Sequence, residues 1–124
     1  VLPEVIEAHR QLVEDIPGTG LLVVTSVDRL FRGWTASQRR SPSGIVSHAD
    51  TLLRELPSDA GLVTVMDGHP ATLTWLAAVQ RHQVMPLGVD KFGQSGDIPD
   101  LYREYRLDSD AIVDAVARLC LMKR

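Results

Sequence analysis

The stretch GLVTVMDGHPATLTWLAAVQRHQVMPLGV, residues 61–89, decides the fold class of this chain. It opens with an apolar run at residues 61–66 and closes with another at residues 83–89, and both have the composition of strands buried on two faces. Between them, residues 70–81 have the apolar spacing of a helix. A strand, a helix and a strand in this order predict two parallel strands of one sheet. Pro86 predicts an irregular or edge position in the second strand.

The same alternation continues on the N-terminal side of this unit. A first helix is predicted to begin near Pro3 and to end before Pro17, because apolar residues between them recur at helical spacing. The β-branched run GLLVVTS, residues 20–26, predicts another buried strand. Further helices are predicted at residues 28–40, 47–56, 99–105 and 109–122.

These elements predict an α/β fold, a three-layer α/β/α sandwich with a mostly parallel sheet. Three strands are few for a sheet, so one or two further strands are expected upstream of residue 1. Asp108 is predicted to cap the last helix. The apolar stripe of that helix is predicted to include Cys120 as a small buried hydrophobe, together with Ile112, Val113, Val116 and Leu119.

Length and composition limit the class of protein. A chain of 124 residues fits a single domain, residues 1–124, with a flexible loop expected at residues 39–47. It is 44% hydrophobic and 23% charged, with a net charge of -3 and one cysteine. These values predict a cytoplasmic protein that binds neither nucleic acid nor membranes, because they provide no basic surface and no disulfide framework. No apolar run approaches the roughly 20 residues that span a bilayer.

The loop that follows the last predicted strand, residues 90–97, is a candidate anion site. Gly93, Ser95 and Gly96 could offer backbone N–H groups to a phosphate. However, Asp97 and Asp100 already supply carboxylates at the start of the next helix, where they would repel an anion. The glycine fingerprint of nucleotide-binding proteins and the phosphate-loop lysine are both missing. The sequence therefore favours a capped structural turn.

Asp67 and His69 follow the strand at residues 61–66 and form the other candidate site. A carboxylate beside an imidazole can hold one tautomer for acid–base chemistry. Both residues are also common at turns and helix starts, and no serine or cysteine precedes them as a nucleophile. They remain candidates for either role. No histidine has the spacing to other ligands that a metal site requires.

A resemblance to a known family enters at GVDKFGQSG, residues 88–96, and LYREYRLDSDAIVDAV, residues 101–116. Together they resemble the C-terminal domain of the transketolase superfamily of thiamine diphosphate enzymes. The residues that match its pattern are Asp90, Phe92, Gly93, Ser95, Leu101, Tyr102, Tyr105, Asp108 and Ile112. EVIEAHRQL, residues 4–12, and GLLVVTSVDRLFRGW, residues 20–34, resemble the preceding elements of that domain.

Within the superfamily, the arginine-rich stretch after Trp34 is more similar to the homodimeric pyruvate dehydrogenase decarboxylating component than to transketolases. One segment departs from the family pattern. Transketolases usually have an acidic residue, alanine and glycine after the middle strand, where this chain has Asp-Gly-His-Pro at residues 67–70.

The resemblance implies a structural domain that helps a dimer to assemble. Thiamine diphosphate and Mg²⁺ would bind to other domains of the parent enzyme, and this domain would provide no catalytic, cofactor or metal residue. Asp90, Phe92, Gly93 and Ser95 would form a structural turn. The implied partners are the upstream domains, a second copy of the parent and, for a dehydrogenase, a lipoyl acyltransferase.

Two alternatives remain. The parent could be a transketolase-type transferase that acts on sugar phosphates. Alternatively, the chain could be an autonomous flavodoxin-like domain that binds a small molecule.

Overall fold

The computed structural model describes residues 2–39, 46–88 and 108–122. They form a mixed α/β fold, as the sequence predicts. The elements are α1 (Leu2–Asp15), α2 (Val27–Arg39), α3 (His48–Leu53), β1 (Gly61–Val65), a 3₁₀ helix (Pro70–Leu73), α4 (Leu76–Gln80), β2 (Gln83–Leu87) and α5 (Ser109–Met122).

The two strands pair in parallel, which confirms the prediction for residues 61–89. Gly61 lies opposite Gln83, and the register continues to Val65 opposite Leu87. One further bond, from the Met66 N–H to the Leu87 oxygen (3.0 Å), extends the ladder past β1. These two strands are the whole sheet in the part of the chain that the structure describes.

The connection between the strands is not the single helix predicted at residues 70–81. It begins as the 3₁₀ helix, passes through a turn, and ends as the short helix α4. The Thr74 hydroxyl donates a hydrogen bond to the Ala71 oxygen (2.8 Å), a local bond of the kind that competes with regular helix. Arg81 then ends α4 in the left-handed conformation, with φ 62°.

The strand predicted at residues 20–26 is wrong. This segment forms no strand and makes no ladder with any described residue. Leu21, Leu22 and Val23 are 40, 47 and 53% exposed, whereas a buried strand would hide them. Composition can indicate that a segment would suit a sheet, but a strand exists only where a neighbour accepts its hydrogen bonds.

Helices contact both faces of β1. Successive side chains of a strand point to opposite faces. On one face, Leu62 and Met66, which are four positions apart, pack against a cluster of three buried leucines. These leucines belong to the helices between residues 48 and 80 and are Leu53, Leu73 and Leu76. On the other, Gly61 lies directly against the Leu119 side chain of α5. Helix α5 also packs on α1.

Helix α5 begins and packs largely as predicted. The Ala111 N–H donates to Asp108 Oδ1 (2.9 Å), which confirms the predicted cap. The helix buries Ala111, Ile112, Ala115 and Leu119. Cys120 is exposed, so its predicted burial is wrong. It lies about 100° around the helix from Leu119, beyond the face that β1 and α1 cover.

Helix α3 is shorter than the predicted residues 47–56. Ser47 caps its start by accepting from the Asp50 N–H (3.2 Å) and donating to Asp50 Oδ2 (2.8 Å). Asp50 Oδ1 in turn accepts from Gln80 Nε2 (3.0 Å), which ties α3 to α4. The flexible loop expected at residues 39–47 lies mostly outside the described residues.

Replacing Arg81 with glycine is expected to stabilise the chain by about 0.5–1 kcal/mol, because a side chain makes the left-handed conformation unfavourable. The free energy of unfolding from urea denaturation measures the effect. Arg81→Ala is the matched control, since it removes the charge and keeps the Cβ. Equal stability of the two variants would contradict the prediction.

Candidate functional site

The carboxyl ends of β1 and β2 meet, but backbone fills the space between them. A Cβ added at Gly88 would lie 2.5 Å from the Gly68 oxygen and 2.7 Å from the Pro70 backbone. In open α/β sheets, a ligand usually binds in a crevice at these strand ends. Here, the loop after β1 and the end of β2 pack directly on each other at that place.

His69 lies in this loop and caps the 3₁₀ helix. Its Nδ1 accepts a hydrogen bond from the Ala71 N–H (3.1 Å), so a neutral ring carries its proton on Nε2. Asp67 and His69 are both exposed, and no hydrogen bond joins them in the described structure. The imidazole therefore serves a helix start, and its acid–base role stays a hypothesis.

Substitution at His69 tests its role as a helix cap. His69→Ala is expected to destabilise the chain by about 1 kcal/mol, because the Ala71 N–H loses its acceptor. His69→Asn keeps a strong capping acceptor and should stay close to wild type. Thermal unfolding of the three proteins checks this. If His69→Asn and His69→Ala lower the melting temperature equally, the cap makes no measurable contribution to stability.

The aromatic side chains of the described residues come together beside this loop. The Phe31 and Trp75 rings meet edge to face, with centroids 5.2 Å apart and planes at 68°. Trp34 stacks on Trp75 at 5.5 Å with planes at 27°. Phe31 and Trp34 belong to α2, whereas Trp75 lies between the 3₁₀ helix and α4.

An open groove, the aromatic groove, runs along these rings. Its volume is about 470 Å³. It is lined by Val27, Asp28 and Phe31 from α2, and by Ala71, Thr72, Thr74 and Trp75 from the opposite side. Only Asp28 among them carries a charge. Because its walls come from segments at least 40 positions apart in the chain, local sequence patterns could not reveal the groove.

Ring contacts, and not hydrogen bonds, hold the two indoles. Nε1 of Trp34 and Nε1 of Trp75 are both buried and have no hydrogen-bond partner in the described structure. An unpartnered buried N–H is costly, since it has left water without a replacement. The stacking and burial of the rings must therefore outweigh that cost.

A second group of exposed apolar side chains lies on α1 and on the segment that follows it. On α1, Leu2, Ile6 and Val13 share one exposed side. The chain then turns back, and the His9 Nε2–H donates to the Thr19 oxygen (2.9 Å), so the next segment starts beside the middle of α1. That segment exposes three more apolar side chains, Leu21, Leu22 and Val23. We call these six residues the N-terminal apolar surface.

Other side chains of chemical interest do not line the groove. On α1, hydrogen bonds from Arg10 and then Gln11 lower the pKa of Glu7 to about 2. His82 is buried, with Nε2 bonded to the Pro57 oxygen (3.2 Å). Asp90, Phe92, Gly93 and Ser95 lie outside the described residues.

Among the described residues, no group of three or more His, Cys, Asp and Glu side chains is placed to hold a metal ion. Nor does any helix in the described ranges combine the length and apolar character needed to cross a membrane. Comparison with protein-family models, curated proteins and solved structures finds no match to this chain.

Proposed function

We propose that this chain is the C-terminal assembly domain of a cytoplasmic thiamine-diphosphate-dependent enzyme, the decarboxylating component of a pyruvate dehydrogenase. In this role, the domain packs on the upstream domains of its own polypeptide and helps two copies of the parent to form a dimer. The parent decarboxylates a 2-oxo acid and passes the acyl group to the lipoyl group of an acyltransferase.

The N-terminal apolar surface is the observation that carries this proposal. Large exposed apolar patches on soluble proteins mark contacts with other proteins or domains. Burial of each of the side chains Ile6, Leu22 and Val23 would stabilise such a contact by about 1 kcal/mol or more. An assembly domain needs a face of this kind.

The arrangement around the parallel strands also supports it. Leu62 and Met66 face the helices of residues 48–80, whereas Gly61 faces α5. A three-layer α/β/α sandwich, as in the family that the sequence resembles, would extend this arrangement by further strands. The segment at residues 20–26 has the composition to become one of them when a neighbouring strand is supplied.

Among the described residues, no oxygen ligands are gathered in the way that holding thiamine diphosphate through Mg²⁺ would require. Binding its diphosphate through Mg²⁺ takes oxygen ligands gathered around the ion. The described carboxylates form no such group, and the loop at His69 is filled by backbone from Gly88. In the proposal, cofactor chemistry belongs to the other domains of the parent, as the family resemblance implies.

One observation favours a second candidate, an autonomous domain that binds a small molecule. The aromatic groove has a volume of about 470 Å³, which falls in the usual range for ligand sites. A transketolase-type parent is compatible with the same fold and differs in its reaction, which acts on sugar phosphates.

The proposal is tested by immunoprecipitation from native extract of the source cells with an antibody against this chain. We expect a polypeptide several times heavier than 13.7 kDa. The precipitate should reduce ferricyanide with pyruvate, and only when thiamine diphosphate and Mg²⁺ are present. Precipitate from a non-immune antibody is the control.

Two results would overturn it. A band at 13.7 kDa would establish an autonomous protein and favour the binding domain. A heavy polypeptide whose precipitate does not oxidise pyruvate, but transfers two-carbon units between sugar phosphates, would establish the transferase parent.

A further inference from the structure

We propose that the aromatic groove binds a small organic cation of the quaternary ammonium class. This inference goes beyond the assembly role, which neither requires nor excludes such a site. It rests on the ring geometry, on the charge at the edge of the groove and on a free hydroxyl on the opposite wall.

The rings supply two non-parallel walls. Phe31 and Trp75 meet at 68° with centroids 5.2 Å apart, so they form a corner. Phe31 is 39% exposed and accessible from the groove. Trp34 stacks behind Trp75 and supports it. A cation within about 6 Å of ring centroids is attracted by the negative ring faces, most strongly by that of tryptophan.

Charge selects a cation over a neutral ligand. Asp28 is the one charged side chain on the groove wall. It pairs with Arg32 at 3.3 Å, but the two side chains are 86 and 71% exposed. Such a pair is weak and screened by water. The Asp28 carboxylate can therefore attract a second positive charge. The positive charge of Arg32 repels that second charge and so weakens its binding.

Hydrogen bonding favours a small ligand with a hydroxyl group. On the far wall, the Thr74 hydroxyl is already bonded to the Ala71 oxygen. Thr72 is exposed and lines this groove, and its hydroxyl makes no hydrogen bond with a described residue. A ligand with a bulky ammonium head and a hydroxyl two carbons away could contact the ring corner and Thr72 together.

Choline and its neutral isostere 3,3-dimethyl-1-butanol test this directly, because they differ in charge and hardly in shape. Both tryptophans of the chain, Trp34 and Trp75, belong to the ring cluster, so intrinsic fluorescence reports on the groove. We expect saturable quenching by choline, at constant ionic strength, and at least about tenfold weaker binding of the alcohol. Equal binding of the two would overturn the proposal.

Variants locate the site. Phe31→Leu and Asp28→Asn should each weaken choline binding about fivefold, whereas Arg32→Gln should strengthen it because a competing cation is lost. Asp15→Asn, on α1, is the matched control and should leave affinity unchanged. Circular dichroism confirms that each variant melts like the wild-type chain. Wild-type affinity in both Phe31→Leu and Asp28→Asn would overturn the proposal.

A third ligand distinguishes a free small molecule from a side chain of a protein. N-acetyl-trimethyllysine amide carries the same head group with peptide bonds attached. Weaker binding than choline supports the small-molecule site. Tighter binding would overturn it in favour of a modified lysine on a protein partner.

Discussion

Replacing Gly88 with alanine is expected to destabilise the chain by about 3 kcal/mol, near the upper end for overpacking. The added methyl group would lie 2.5 Å from the Gly68 oxygen and 2.7 Å from Pro70. These neighbours are backbone atoms of the loop after β1, so no side chain can rotate away. Either β2 or the loop must move, and the ladder between Met66 and Leu87 would weaken with it.

Urea denaturation with circular dichroism measures the change, and two other glycines serve as controls. At Gly61 the atoms nearest to the added methyl group would belong to the Leu119 side chain, which can shift more easily than backbone, so Gly61→Ala should cost less than Gly88→Ala. Gly33, inside α2, has open space around it, and Gly33→Ala should stabilise by about 0.5–1 kcal/mol. An equal effect of all three substitutions would contradict the argument from backbone contact.

Replacing Trp75 with alanine should have the other large effect, again a loss of about 3 kcal/mol. Trp75 contacts both other rings of the cluster and packs against the buried leucines. Its removal separates α2 from the segment that joins the strands. The free energy of unfolding should fall, and the fluorescence of Trp34 should shift to the red as water reaches it.

Trp75→Phe is the matched control. It keeps an aromatic ring and removes a buried N–H that has no partner in the described structure, so part of the lost packing is offset. We expect a cost of about 1 kcal/mol. If phenylalanine were as damaging as alanine, the indole N–H would have to make a stabilising bond, and the description of the cluster would be wrong.

Local signals predicted the parts of the fold that depend on neighbouring residues. Asp108 was predicted as a capping residue from its type and position, and it accepts the expected bond from the Ala111 N–H. The strands at residues 61–65 and 83–87 were predictable because short apolar runs flank a helical pattern. Each of these conclusions needs only a few consecutive residues.

Features set by distant contacts could not be predicted in this way. Residues 20–26 have strand composition, but their pairing depends on a neighbour elsewhere in the chain. Cys120 has the right spacing for burial, yet its exposure depends on how far β1 and α1 extend across α5.

The candidate site was predictable only in part. The sequence identified Asp67 and His69 as residues of a strand-end loop, which the structure shows. It could not reveal that Gly88 fills the adjacent space. Nor could it bring Phe31 onto Trp75, since the two rings are separated by 44 positions.

The proline in β2 has a consequence for aggregation. In a parallel ladder, alternate residues of a strand bond to the same neighbour. Leu87 accepts from Met66 and therefore faces β1, so the nitrogen of Pro86 points to the opposite edge. A foreign strand that approached this edge would find no N–H donor near its middle, and proline is a common protection of sheet edges. Pro86 thus makes the growth of fibrils from β2 unfavourable without weakening its pairing with β1.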